Sequence, residues 1–171
     1  DYVKGDINKL DYSPAMKVGL KLHRFIDDFT DHHPAIQRAK EYFRAEYRLY
    51  SGPIVDCVFD YYIANDPHCF NSEADLNKFT QSVYQTLADQ KDKLPIAYLP
   101  ALQHMTENNW LYNYRTIKGI KKSMIGVANQ STQMPDVELA YQAFVLNCYI
   151  LNQYYIEFIA DAKIAIQKQY E

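Results

Sequence analysis

A chain of 171 residues, 48% apolar and with only five glycines and seven prolines, can bury a sizeable core but is too poor in turn residues for a sandwich or barrel. Its net charge of −3 argues against nucleic-acid binding as the main task. No apolar run approaches the ~20 residues of a membrane span, and no signal peptide is visible. The three widely spaced cysteines, Cys57, Cys69 and Cys148, fit neither a disulfide framework nor a zinc ribbon, so a reducing cytoplasm is expected.

Nearly every segment reads as helix. Ser13-Pro14 supplies a cap followed by proline at the first helical position, and a periodic pattern runs on to about Phe29. Pro34 opens a second helix through Tyr47, with Ile36, Ala39, Phe43 and Tyr47 on its apolar face. Gly52-Pro53 punctuates, and Ile54 to Ala64 form a strongly apolar third helix. Ser72 with Asp75 marks the start of a fourth, to about Lys91. Leu94 to Asn108 and Trp110 to Val127 read as two more, and Pro135 begins a long final helix. With no repeat and no linker, residues 1–171 form one all-α domain, a single-domain helical bundle.

Sorted at 100° per residue, the first helix has three arcs. Val18, Leu22, Phe25, Ile26 and Phe29 face the core, while Lys17, Lys21, Arg24 and Asp28 face solvent. His23, Asp27 and Asp31, at i, i+4 and i+8, border the apolar arc. Carboxylates one turn apart repel unless a positive charge lies between them, and a nearby imidazole can also ligate a metal. The plainer alternative is a His23–Asp27 hydrogen bond with Asp31 ending the helix. His32, His33, His68 and His104 are additional ligand candidates, with a surface or loop histidine as the plainer reading of each.

The third helix carries only two charges, Asp56 and Asp60, again four apart. Asp56 lies near the helix start, where the dipole favours an anion. Asp60 lies in the interior and needs a partner, because an unpaired buried carboxylate is costly. Arg24, Arg44, Arg48, a histidine, or a metal shared with the first helix could provide it. Oxygen and nitrogen ligands without cysteine suit Mn²⁺, Mg²⁺ or Fe²⁺. Between Asn109 and Pro135 there is no acid, and Arg115, Lys118 and Lys122 at i, i+3 and i+7 would form one basic helix face.

HRFIDDFTDHHP (23–34), VDCVFDYYIA (55–64), WLYNYR (110–115) and the opening DYVKGD resemble the acyl carrier protein phosphodiesterase family, a divergent relative of the HD-type phosphohydrolases. The resemblance implies an HD-like, Mn²⁺-dependent hydrolase, with Mg²⁺ or Fe²⁺ possible, that removes 4′-phosphopantetheine from holo acyl carrier protein. It implies a role in fatty acid and lipid metabolism, with neither nucleic acid nor membrane as partner. His23, Asp27, Asp31, Asp56 and Asp60 match the family's histidine and acidic positions, Arg24 its basic neighbour, and Trp110, Tyr114 and Arg115 its later motif.

On this reading His23, Asp27, Asp31 and Asp60 are metal ligands, and Asp56 accepts the proton of the attacking water. Arg24 or Arg115 steadies the phosphodiester charge. Arg115, Lys118, Lys122, Trp110 and Tyr114 form the substrate side, since acyl carrier protein is expected to be acidic. Two departures stand out. Tyr61 follows Asp60 where the family has histidine, and the family's Asn-x-x-x-His segment has no counterpart ahead of Asp1. The competing readings are a metal phosphohydrolase of small phosphoesters and a non-catalytic helical module that lost a ligand at Tyr61.

Overall fold

Every regular element among residues 3, 5–129 and 135–170, which the computed structural model describes, is helical. The helices are α1 (Pro14–His32), α2 (Pro34–Tyr47), α3 (Ser51–Ala64), α4 (Glu73–Asp89), α5 (Leu99–Glu107), α6 (Trp110–Asn113), α7 (Ile117–Ala128) and α8 (Val137–Tyr170). Single 3-10 turns lie at Ile7–Lys9, Arg48–Tyr50, Lys91–Lys93 and Ile96–Tyr98. Of the DYVKGD motif, Asp1, Tyr2 and Lys4 lie outside the described residues.

The expected caps form. Ser13 Oγ accepts from the Met16 N–H at 3.3 Å, and Ser72 Oγ from the Asp75 N–H at 3.1 Å. α2 occupies the expected span, and Ile36, Ala39, Phe43 and Tyr47 are all buried. They pack with Ile54, Val55 and Val58 of α3, Ile120 and Met124 of α7, and Phe144 and Leu151 of α8. Removing each such side chain from water stabilises the fold by roughly 1.5–3 kcal/mol, so α2, α3, α7 and α8 are the centre of the bundle.

α3 starts at Ser51, three residues earlier than the sequence suggested. Gly52 and Pro53 fit its first turn, where backbone N–H groups have no helical partner to lose. Trp110 to Val127 is not one helix either. It breaks at 114–116, where Thr116 Oγ1 accepts from the Gly119 N–H at 2.9 Å and starts α7. Gly119 lets the two pieces close up, since a Cβ there would lie 1.8 Å from the Asn113 carbonyl oxygen.

α1 is an outer layer rather than a core helix. None of its residues is fully buried, and Val18 is half exposed. Its C-terminal end is anchored by aromatic contacts, with the Phe29 ring 5.2 Å from the His33 ring and 6.1 Å from that of Phe158. Its expected solvent arc holds the N-terminal segment instead. Lys17 Nζ donates to the Asn8 carbonyl at 3.1 Å, and Arg24 Nη2 to the carbonyls of Val3 and Gly5 at 3.3 and 2.9 Å.

His33 is not a surface histidine. It is buried at the α1–α2 corner, where its Nδ1 accepts from the Ala35 N–H at 3.2 Å and caps α2. That bond leaves Nε2 protonated, and Nε2 lies 3.2 Å from Asp161 Oδ2 on α8. A second tie joins α3 to α8 at Asp66, which accepts from the His68 N–H and the Tyr155 hydroxyl, each at 2.8 Å.

Candidate active site

The α1–α2 corner brings Asp27 and Asp31 of the His23 arc toward Asp56 in the second turn of α3, and Asp60 lies one turn further on. Asp56 lies within electrostatic reach of Lys40, Asp31 and Asp27, and Asp60 within reach of Asp56. Burial pushes the Asp56 carboxyl up to about 6; Lys40 pulls it back, and Asp31 and Asp27 push it up again. Burial first, and then repulsion from Asp56, take Asp60 up to about 7. Asp56 still has solvent access although protein surrounds most of it.

The cation at this cluster is Lys40, which the sequence reading did not single out. Its ammonium lies 3.4 Å from Asp31 Oδ1, and its stem passes over Gly52, where a Cβ would sit 3.5 Å from Lys40 Cε. No sequence signal marks it, because the contact of the Lys40 stem with Gly52 exists only once α2 packs on α3. Arg44, one of the expected partners, pairs with Glu41 at 2.7 Å instead.

His23 Nδ1 lies 3.2 Å from Asp27 Oδ1, the plain pairing weighed above, and both side chains are exposed. Asp31 stays inside the last turn of α1 and does not cap it. Arg24 is committed to the carbonyls of Val3 and Gly5, so it ties down the N-terminal segment rather than reaching the acids. Tyr114, at the end of α6, lies near enough to Asp60 to feel its charge. Burial first, then Asp60, hold its hydroxyl protonated well above the usual tyrosine range. Trp110 packs edge-on against His104 at 5.2 Å between ring centres.

The expected basic face of Arg115, Lys118 and Lys122 is not one face. Arg115 precedes α7 and turns to α4, where Nη1 donates to Glu73 Oε1 at 2.8 Å and the guanidinium lies 4.5 Å over the Tyr112 ring. Lys118 and Lys122 remain together on exposed α7, one turn apart. Tyr61 does not fill a ligand position with its hydroxyl; its ring packs on Phe144 and Tyr62, each at 5.5 Å.

Asp27 and Asp31 within electrostatic reach of Asp56, Asp60 beside Asp56, and His23 paired to Asp27 offer the donor types that suit a hard divalent cation. Among the described residues no three His, Cys, Asp or Glu side chains stand close enough to hold an ion as they lie. The exposed Asp27 and Asp31 would have to rotate toward Asp56 and Asp60 to complete such a site. Among the described residues, no helix is long and apolar enough to cross a membrane.

These features define an all-helical protein with an acidic cluster between its first three helices. The family model for acyl carrier protein phosphodiesterase matches residues 1–162, and the chain belongs to that family. Proteins named acyl carrier protein phosphodiesterase are similar to it at low identity. The one from Yersinia pestis is 23% identical over 158 residues, covering 92% of this chain and 81% of the relative. That from Serratia proteamaculans is 24% identical over 170 residues, covering 95% and 86%. That from Enterobacter sp. (strain 638) is 24% identical over 142 residues, covering 83% and 73%. No solved structure matches the chain.

Proposed function

We propose that this chain is a phosphodiester hydrolase that cuts 4′-phosphopantetheine from the serine of holo acyl carrier protein, assisted by a divalent cation, Mn²⁺ in the first instance. What supports the reading is that Asp27 and Asp31 of α1 lie within electrostatic reach of Asp56 of α3, which in turn neighbours Asp60, in a chain matched almost end to end by the phosphodiesterase family.

Asp27, Asp31 and Asp60, with His23, would hold the ion. When bound it supplies a water of lowered pKa and a Lewis acid for a phosphoryl oxygen. The chain's own groups do the rest. Asp56, poised at about 6, accepts a proton near neutral pH. The Lys40 ammonium counters phosphate charge beside the acids. Tyr114, held protonated near Asp60, can donate a hydrogen bond to a phosphodiester oxygen. The Arg24 side chain contributes indirectly, by fixing the N-terminal segment along α1.

Incubation with holo acyl carrier protein and Mn²⁺, followed by intact-mass analysis, tests the reading. Loss of the phosphopantetheine mass, abolished in Asp60→Ala, is expected. An intact holo protein in the presence of metal-loaded enzyme would point to a small phosphoester instead. The packing of Tyr61 into the core favours one further alternative, a helical module without catalysis. A chain that takes up no Mn²⁺ would establish it.

A further inference from the structure

α8 is apolar on two opposite sides, and the fold covers only one of them. At 100° per residue, Ala140, Phe144, Leu151 and Tyr155 fall on the core side and are buried. Leu139, Gln142, Leu146, Tyr149, Gln153 and Ile156 fall on the far side, at alternating spacings of three and four. All six are exposed, Leu146 at 83% and Tyr149 at 76%. That alternation is the a/d spacing of a coiled-coil seam, here on the outside of the bundle. From Leu139 to Ile156 there is no charged residue, although a helix face meant for water normally carries charge.

We propose that this seam pairs with the same seam of a second copy, in an antiparallel α8–α8 contact whose two-fold axis passes between Leu146 and Tyr149. The seam itself selects this occupant. Antiparallel self-pairing requires a polarity pattern that reads alike in both directions, and apolar, Gln, apolar, apolar, Gln, apolar does so. Leu146 of one copy meets Tyr149 of the other, Leu139 meets Ile156, and Gln142 meets Gln153, where two amides can exchange hydrogen bonds.

The charges agree. The contact brings Glu138 of one copy near Glu157 of the other, and each acid already has its own cation. Lys121 lies 2.6 Å from Glu138, and Arg38 lies 2.5 Å from Glu157. Antiparallel helices also oppose their dipoles favourably. The area is adequate: the exposed apolar side chains amount to ~500 Å² per copy, and their polar neighbours bring the contact toward the ~800 Å² per partner of a standard interface. With no basic residue, the seam does not suit an acidic protein substrate.

Sedimentation equilibrium of the chain up to about 100 µM tests this, since a self-association is read from its concentration dependence. The expected mass is twice the 20.0 kDa of one chain, and Leu146→Glu, at a position exposed within the protomer, halves it without loss of helical signal. Register is read by mixing Leu139→Cys with Ile156→Cys, both in a Cys148→Ser background, under mild oxidation. A disulfide between the two variants, absent in either alone, is expected. A wild-type chain that stays monomeric, a dimer that survives Leu146→Glu, or cross-linking of each cysteine variant with itself would each overturn the proposal.

Discussion

His33 on the corner between α1 and α2 bonds through Nε2 to Asp161 on α8, 3.2 Å away and 128 positions along the chain, while its Nδ1 caps α2. One imidazole thereby fixes a helix start and joins the outer helix corner to the longest helix. Replacing it with alanine removes a cap worth about 1 kcal/mol and leaves a gap between the rings of Phe29 and Phe158. We expect His33→Ala to lose about 2–3 kcal/mol in urea unfolding while retaining Mn²⁺ uptake. Loss of metal with unchanged stability would instead make His33 a ligand.

Gly119 faces the Asn113 carbonyl too closely for any side chain. The obstacle is backbone, which cannot swing aside as a flexible side chain would. Gly119→Ala should therefore cost about 2 kcal/mol by forcing α6 and α7 apart. The variant's thermal melt checks this, and an unchanged Tm would mean that the turn gives way freely.

Most of the helices, and the buried face of α2, were legible because local rules decide them. The Ile36, Ala39, Phe43 and Tyr47 stripe, the Ser13 and Ser72 caps and the long C-terminal helix all follow from periodicity and capping chemistry. Contacts distant in sequence decide the rest. His33 looks like a loop histidine until α8 brings Asp161 and Phe158 against it. Arg115 looks like the first member of a basic stripe until Glu73 turns it away. The reach of Asp27 and Asp31 to Asp56 depends on the α1–α2 corner, and only the two i, i+4 acid spacings were readable. Lys40 was not, because its role depends on how α2 lies over Gly52.

Asp60 should weaken the cation-free protein that it serves. A carboxyl raised to about 7 when folded, against about 3.9 when unfolded, keeps its proton longer in the native state. Stability from that proton is fully present below about pH 4 and is lost as pH rises through about 7. Asp56, raised to about 6, adds to the same trend. Asp60→Asn removes the buried charge, so at pH 8 without metal it should be more stable than wild type by on the order of 1–2 kcal/mol. The same substitution should abolish Mn²⁺ uptake. Chemical unfolding at pH 5 and pH 8 checks it: the gap between variant and wild type should widen with pH, and a constant gap would exclude the titration.

Lys118 and Lys122 remain the part of the basic stretch able to meet an acidic substrate, since Arg115 is spent on Glu73 and Tyr112 and Lys121 on Glu138. Both lysines are exposed on α7, the helix that follows Tyr114. Charges at such a rim act chiefly on encounter, and salt screens them over ~8–10 Å. Reversing both, in Lys118→Glu/Lys122→Glu, should raise KM for holo acyl carrier protein about fivefold, equivalent to ~1 kcal/mol, with kcat unchanged. It should also flatten the dependence of kcat/KM on salt. Arg115→Ala should differ in kind, lowering stability through the lost Glu73 and Tyr112 contacts while leaving the salt dependence as it was. If Arg115→Ala flattened the salt dependence and the double reversal did not, docking would lie on the α4 side of the bundle instead.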